Sequence, residues 1–140
     1  MSTTRFHQYL EAEVLGADPV KLIHMLYRGA LEAVGSARRE LAAGNIRERS
    51  RQITKAWEIL HELARSLDHA HGGELSRNLS ELYAYIQQRL LDANARQVDE
   101  PLAEAEKLLT ELSEAWKTVK ASAIAVPATA QAYEPVSCQA

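Results

Sequence analysis

The chain has 140 residues, 46% of them hydrophobic and 25% charged, with a formal net charge of −3. This length and composition allow one domain with a core of its own and exclude a disordered or collagen-like chain. The small negative charge argues against a general nucleic-acid binder, and no stretch approaches the roughly 20 apolar residues of a membrane span.

Residues 1–17 place Phe6, Tyr9, Leu10, Val14 and Leu15 where a short amphipathic helix would align them, with Gly16 as a hinge. They lack the apolar core of a secretory leader, and the lone Cys138 cannot form an intramolecular disulfide. A cytoplasmic location is therefore expected. Asp18-Pro19 starts a long helix: Asp suits the cap, and Pro at the first helical position loses no hydrogen bond. Val20, Ile23, Tyr27, Ala30, Val34, Ala37 and Leu41 then repeat at alternating steps of three and four, one continuous apolar stripe. Leu22 and Leu26 lie beside it and Met25 further round, so this helix carries more apolar surface than a single seam buries; a wider core, another segment of the chain or a partner must cover the second strip.

Gly44-Asn45 stops the first helix, and Asn45 with Glu48 reads as a capping box for the second. Its stripe is Ile53, Ala56, Leu60, Leu63 and Leu67, with Trp57 on the flank. His71-Gly72-Gly73 breaks the chain, and a third helix follows with Leu75, Leu79, Leu82, Ile86, Leu90 and Ala93, ending near Asn94. Of Tyr83 and Tyr85, one faces the core and the other faces outward. Asp99-Glu100-Pro101 opens a fourth helix on Leu102, Ala105, Leu109, Leu112, Trp116 and Val119, with acidic residues at its positive end. The expected fold is all-α: an antiparallel up-down four-helix bundle over 18–120, a short N-terminal helical segment over 1–17, and a disordered tail over 121–140.

Chemistry for catalysis is thin. Glu58-Ile59-Leu60-His61 is a single Glu-x-x-His without the second that a di-metal bundle uses, and Glu58 points away from the Ile53/Leu60 stripe. His61, His69 and His71 lack cysteine or carboxylate partners in a zinc pattern. There is no glycine-rich phosphate loop and no nucleophile elbow, so neither an enzyme, a metal nor a cofactor is expected. Arg38, Arg39, Arg47, Arg49 and Arg51 crowd one helix–helix turn, while the last helix is acidic. These read as two solvated faces that attract each other across the bundle; the competing reading is a docking patch on an adaptor.

The ordered set of motifs resembles the FliS family of flagellar secretion chaperones over about residues 6–119. Tyr9 precedes Pro19 by ten residues, and Lys21-Leu22-Ile23-His24-Met25-Leu26-Tyr27-Arg28-Gly29-Ala30 resembles the family signature. Gly44-Asn45-Ile46, Leu67-Asp68, Gly72-Gly73-Glu74-Leu75, Asn78-Leu79, Leu82-Tyr83, Tyr85, Arg89-Leu90 and Glu114-Ala115-Trp116 follow in order. Arg28 departs from the pattern, standing where an acidic residue or Asn is usual, as does Ala17-Asp18 before Pro19.

The resemblance implies a cytoplasmic export chaperone. It would bind the disordered C-terminal region of flagellin, prevent premature polymerisation, and hand the client to the flagellar type III export gate. No nucleic acid and no membrane insertion are expected, and the free protein would be a monomer or homodimer. Leu22, Ile23, Leu26 and Tyr27, with groups near Tyr83 and Tyr85, are expected to line the client groove. Phe6 and Tyr9 would sit on a segment that covers apolar surface until the client arrives. On this reading Leu26→Asp abolishes client binding and leaves the helices intact, whereas unfolding would mark Leu26 as core. The alternative is a helical-bundle adaptor for another amphipathic partner.

Overall fold

A computed structural model describes residues 19–67 and 69–118. These form four helices: α1 (Pro19–Ala43), α2 (Ile46–Arg65), α3 (His69–Arg96) and α4 (Glu100–Lys117). There is no strand among the described residues. α1 packs on α2, α2 on α3, α3 on α4, and α4 closes the ring on α1. Short connections force consecutive helices to run antiparallel, so the architecture is the expected up-down bundle. The expected N-terminal segment and tail fall outside the described residues.

The stripes supply the core. Ile23, Tyr27, Ala30, Val34 and Ala37 of α1 meet Ile53, Ala56, Leu60 and Leu63 of α2. Leu79, Tyr83, Ile86, Leu90 and Ala93 of α3 and Leu102, Ala105, Leu109 and Trp116 of α4 complete it. Leu75 stands apart at 46% exposed, and Val20, Leu41, Leu82 and Leu112 are only half-buried.

The first turn is closed by backbone geometry. Gly44 takes φ 79°, and the amides of Gly44 and Asn45 donate to the carbonyls of Leu41 (3.2 Å) and Glu40 (2.9 Å). This pairing satisfies two carbonyls that the helix end would otherwise leave without partners, and the positive φ favours glycine. The expected capping box does not form. The Asn45 amide side chain reaches back to Glu40 at 2.6 Å, and Glu48 instead accepts from Arg51 at 3.0 and 2.7 Å and from Gln52 at 2.9 Å. An arginine three residues on offers the Glu48 carboxylate a bidentate, charge-assisted partner, which outcompetes a single backbone amide.

The glycine break appears as a kink. α3 begins at His69, two residues before the expected break, but Gly73 interrupts it at φ 55°, ψ −128°. α3 also runs past Asn94 to Arg96 and ends on Gln97 at φ 58°, whose amide donates to the Ala93 carbonyl at 2.8 Å.

Arg49 corrects the reading of the arginine cluster as a solvated face. It is only 4% exposed and buried between α2 and α3, where Nε donates to Asn94 Oδ1 at 3.0 Å. Ser50 donates to the same oxygen at 3.1 Å. Arg38 follows the expected attraction across the bundle: it grips both Asp99 oxygens at 2.8 Å and also donates to Glu106.

Gln97 is a non-glycine residue in a conformation that costs an L-residue on the order of 1 kcal/mol. Gln97→Gly should therefore raise the unfolding free energy by about 0.5–1 kcal/mol in urea denaturation. A loss of stability would mean that the 3.4 Å contact from Arg49 to the Gln97 side chain outweighs the strain.

Candidate functional site

Most residues expected to line a client groove lie inside the bundle. Ile23 is 3% exposed, Leu26 1%, Tyr27 0% and Tyr83 1%, and Leu22 is also buried. The picture of Leu22 and Leu26 as surplus surface is therefore corrected. A helix in a closed ring touches two neighbours, so it buries its stripe and both flanks. Arg38 and the groove residue Leu31 place α4 on one flank of α1. Leu22, Leu26 and Ala33 occupy the opposite flank, toward α2.

Tyr27 is the centre of a buried polar cluster. Its hydroxyl lies 2.6 Å from that of Tyr83, and Trp116 Nε1 donates to it at 3.0 Å. The Tyr27 ring tilts against both partners, with centroids 6.4 and 6.3 Å apart. These contacts join α1 to α3 and α1 to α4. No buried side-chain nitrogen or oxygen among the described residues lacks a partner. Burial pushes the Tyr27 phenol up to about 12, while hydrogen bonds with Tyr83 and Trp116 pull the other way. Burial also raises Tyr83, reinforced by the adjacent Tyr27. Both therefore stay protonated at any physiological pH. The pattern placed Tyr27 and Trp116 on separate stripes; their hydrogen bond joins positions 89 residues apart and leaves no local signal.

Tyr85 is the outward member of its pair, 45% exposed. Its hydroxyl donates to Glu104 at 2.7 Å, which fixes the ring across the α3–α4 seam. Arg89 bridges the same seam, donating to Glu104 at 2.6 Å and to Glu100 at 2.7 and 2.8 Å. Leu75, Leu91 and Ile46 are the other large apolar residues exposed among those described. Phe6 and Tyr9 lie outside the described residues.

A groove of about 680 Å³ opens between α1 and α4, lined by Lys21, His24, Met25, Arg28, Leu31, Glu32, Ser113 and Lys117. Elsewhere, His61 stacks on Trp57 with the rings 7° from parallel and 5.6 Å apart, so aromatic packing occupies the histidine of the lone Glu-x-x-His. Among the described residues no group of three His, Cys, Asp or Glu could hold a metal ion. No helix of the described residues is long and apolar enough to cross a membrane.

Comparison with known proteins places this bundle. The sequence pattern of the family described as flagellar protein FliS matches residues 2–123. The chain is 40% identical over 115 residues to the flagellar secretion chaperone FliS of Salmonella typhimurium, covering 81% of this chain and 85% of the relative. It is 38% identical over 107 residues to the flagellar secretion chaperone FliSB of Pseudomonas aeruginosa, covering 76% and 85%. Identity to the flagellar secretion chaperone FliS of Bacillus subtilis is 31% over 109 residues, covering 78% and 80%.

Leu26→Asp should unfold the bundle, because an unpaired carboxylate at a core position costs several kcal/mol. Far-UV circular dichroism with a thermal scan checks this; a helical, cooperatively melting variant would mean that Leu26 is not needed in the core. The tyrosine pair predicts an alkaline transition. An unfolded chain releases phenolic protons from about pH 10, whereas native Tyr27 holds its proton to about 12. The associated stability is complete below pH 10 and falls as pH rises toward 12. Unfolding free energies from pH 8 to 12 should decline with that slope, and Tyr27→Phe should flatten it.

Proposed function

Since the chain belongs to the FliS family of flagellar proteins, we propose that it is a flagellar secretion chaperone whose client is flagellin. The observation that carries this reading is the extent of the match: the family pattern covers residues 2–123, the whole bundle rather than one motif, and identity reaches 40% over 115 residues. The chaperone works by binding, not by catalysis, and it works in the cytoplasm. It holds the C-terminal region of flagellin, which would otherwise drive polymerisation before export. The loaded complex then meets the flagellar export gate.

The physical mode is coupled folding and binding. A disordered segment loses entropy when it is ordered, so it needs broad apolar contact to offset that loss. With Leu22, Ile23, Leu26, Tyr27 and Tyr83 buried, they support the binding surface from beneath unless the bundle opens. The exposed apolar side chains Ile46, Leu75, Tyr85 and Leu91 are available for direct contact. In this reading Phe6 and Tyr9 belong to a segment that covers apolar surface in the free chaperone and yields it to the client. The generic-adaptor alternative has lost its strongest support, because the arginine cluster is internally engaged through Arg38, Arg49 and Arg51.

Calorimetric titration with a polypeptide comprising the last roughly 40–50 residues of the same organism's flagellin should show saturable binding and a negative heat-capacity change. A folded protein that gives no binding would return the adaptor reading to the front. Removing residues 1–10 should change the affinity far more than the melting temperature. If the affinity stays the same, the covering role of Phe6 and Tyr9 is wrong.

A further inference from the structure

The seam between α3 and α4 keeps an apolar strip at its outer surface. At about 100° per residue, Leu75, Leu82 and Tyr85 lie on the flank of α3 that turns toward α4. Leu108, Leu112 and Ala115 lie on the facing flank of α4. Leu75 is 46% and Tyr85 45% exposed, and Ala115 is exposed too. Leu82, Leu108 and Leu112 are only half-buried against the core. Isolated exposed leucines are ordinary, but a row of apolar groups along one seam marks a surface that something covers.

The chain itself supplies a cover of matching place, length and chemistry. Tyr85 and Arg89 of α3 bond Glu104 and Glu100 of α4, so each step up α3 is a step down α4. Leu75, ten residues before Tyr85, therefore stands level with Glu114, ten residues after Glu104. That level is about one turn from Lys117, where α4 ends. The chain continues with Val119-Lys120-Ala121-Ser122-Ala123-Ile124-Ala125-Val126, which holds three branched apolar residues, and then Pro127. Extended, these eight residues span about 26 Å. The strip runs about 20 Å from the end of α4 back to the level of Tyr85, at 1.5 Å per residue. Lys120 is the segment's only charge, and the exposed carboxylates of Glu74 and Glu111 rim the near end of the strip.

We propose that residues 119–126 fold back along the α3–α4 seam and cover this strip, with Val119, Ile124 and Val126 against the apolar row and Lys120 beside Glu74 and Glu111. The expected disordered tail then starts at about Pro127. Because the segment is joined directly to α4, its effective concentration at the seam is on the order of millimolar, so a small contact area suffices to hold it. The segment is a built-in competitor for any apolar partner at this seam. Such a partner must displace it, and its apparent affinity falls in proportion to the fraction of chains whose seam is open. The inference concerns the free chain and does not depend on which client the protein serves.

The test uses the full chain with Cys138→Ser, so that Ala128→Cys carries the only nitroxide spin label, and reads the loss of amide NMR signal near that label. Signals of residues 75–85 and 108–115 should lose most of their intensity. Signals at the start of α1 and the end of α2, at the same end of the bundle, should keep theirs. Ile124→Asp with Val126→Asp should restore the α3–α4 signals, with circular dichroism checking that the bundle stays folded. Equal loss around all four helices at that end, or a loss that the two aspartates leave unchanged, would overturn the proposal. A loss that persists when the spin label and the isotope sit on different chains would also overturn it, and would assign the seat to the tail of a second copy. Neither result bears on the chaperone reading, which the client titration decides.

Discussion

The bundle depends on one buried polar junction. Three large side chains, Tyr27, Tyr83 and Trp116, meet with their polar atoms in hydrogen-bond contact. Burying a hydroxyl or an indole N–H without a partner costs on the order of 1–3 kcal/mol, so the junction tolerates only arrangements in which all three are satisfied. That condition fixes the register of α1 against α3 and of α1 against α4 together. Apolar stripes alone would let helices slide by a turn at modest cost; a directional polar contact in the core does not.

Around this junction, charge is used to close the ring. Arg38 ties α1 to Asp99, at the start of α4, and to Glu106 of α4, and Arg89 ties α3 to Glu100 and Glu104 of α4. The acidic residues of α4 are therefore shared between its two neighbours. Arg49 makes the corresponding link between α2 and α3 through Asn94. Exposed ion pairs contribute little singly, but Arg89 is mostly shielded and holds three carboxylates, which makes that group a network rather than isolated pairs.

The candidate site was only partly legible. Tyr85 was readable as the outward tyrosine because helical phase separates it from Tyr83 by about 200°. Leu22 and Leu26 could be read either as part of a wider core or as groove lining, because phase gives an angle but not the number of neighbouring helices; the bundle buries both. Arg49 looked like one more surface cation among five; its burial depends on Asn94, 45 residues away. Asn45 and Glu48 matched a capping pattern, yet each found a stronger partner nearby, Glu40 and Arg51.

The sequence by itself determined what depends on a few consecutive residues. Helix spans follow from the three-and-four spacing of apolar positions, and the breaks follow from Gly44 and Gly73, which adopt positive φ. Family membership was also legible, because an ordered series of short motifs survives without knowledge of their contacts. Only the tertiary structure decided which apolar residues are core and which arginines are engaged. Those outcomes depend on side chains that meet across tens of residues, and no local period in the chain encodes such meetings.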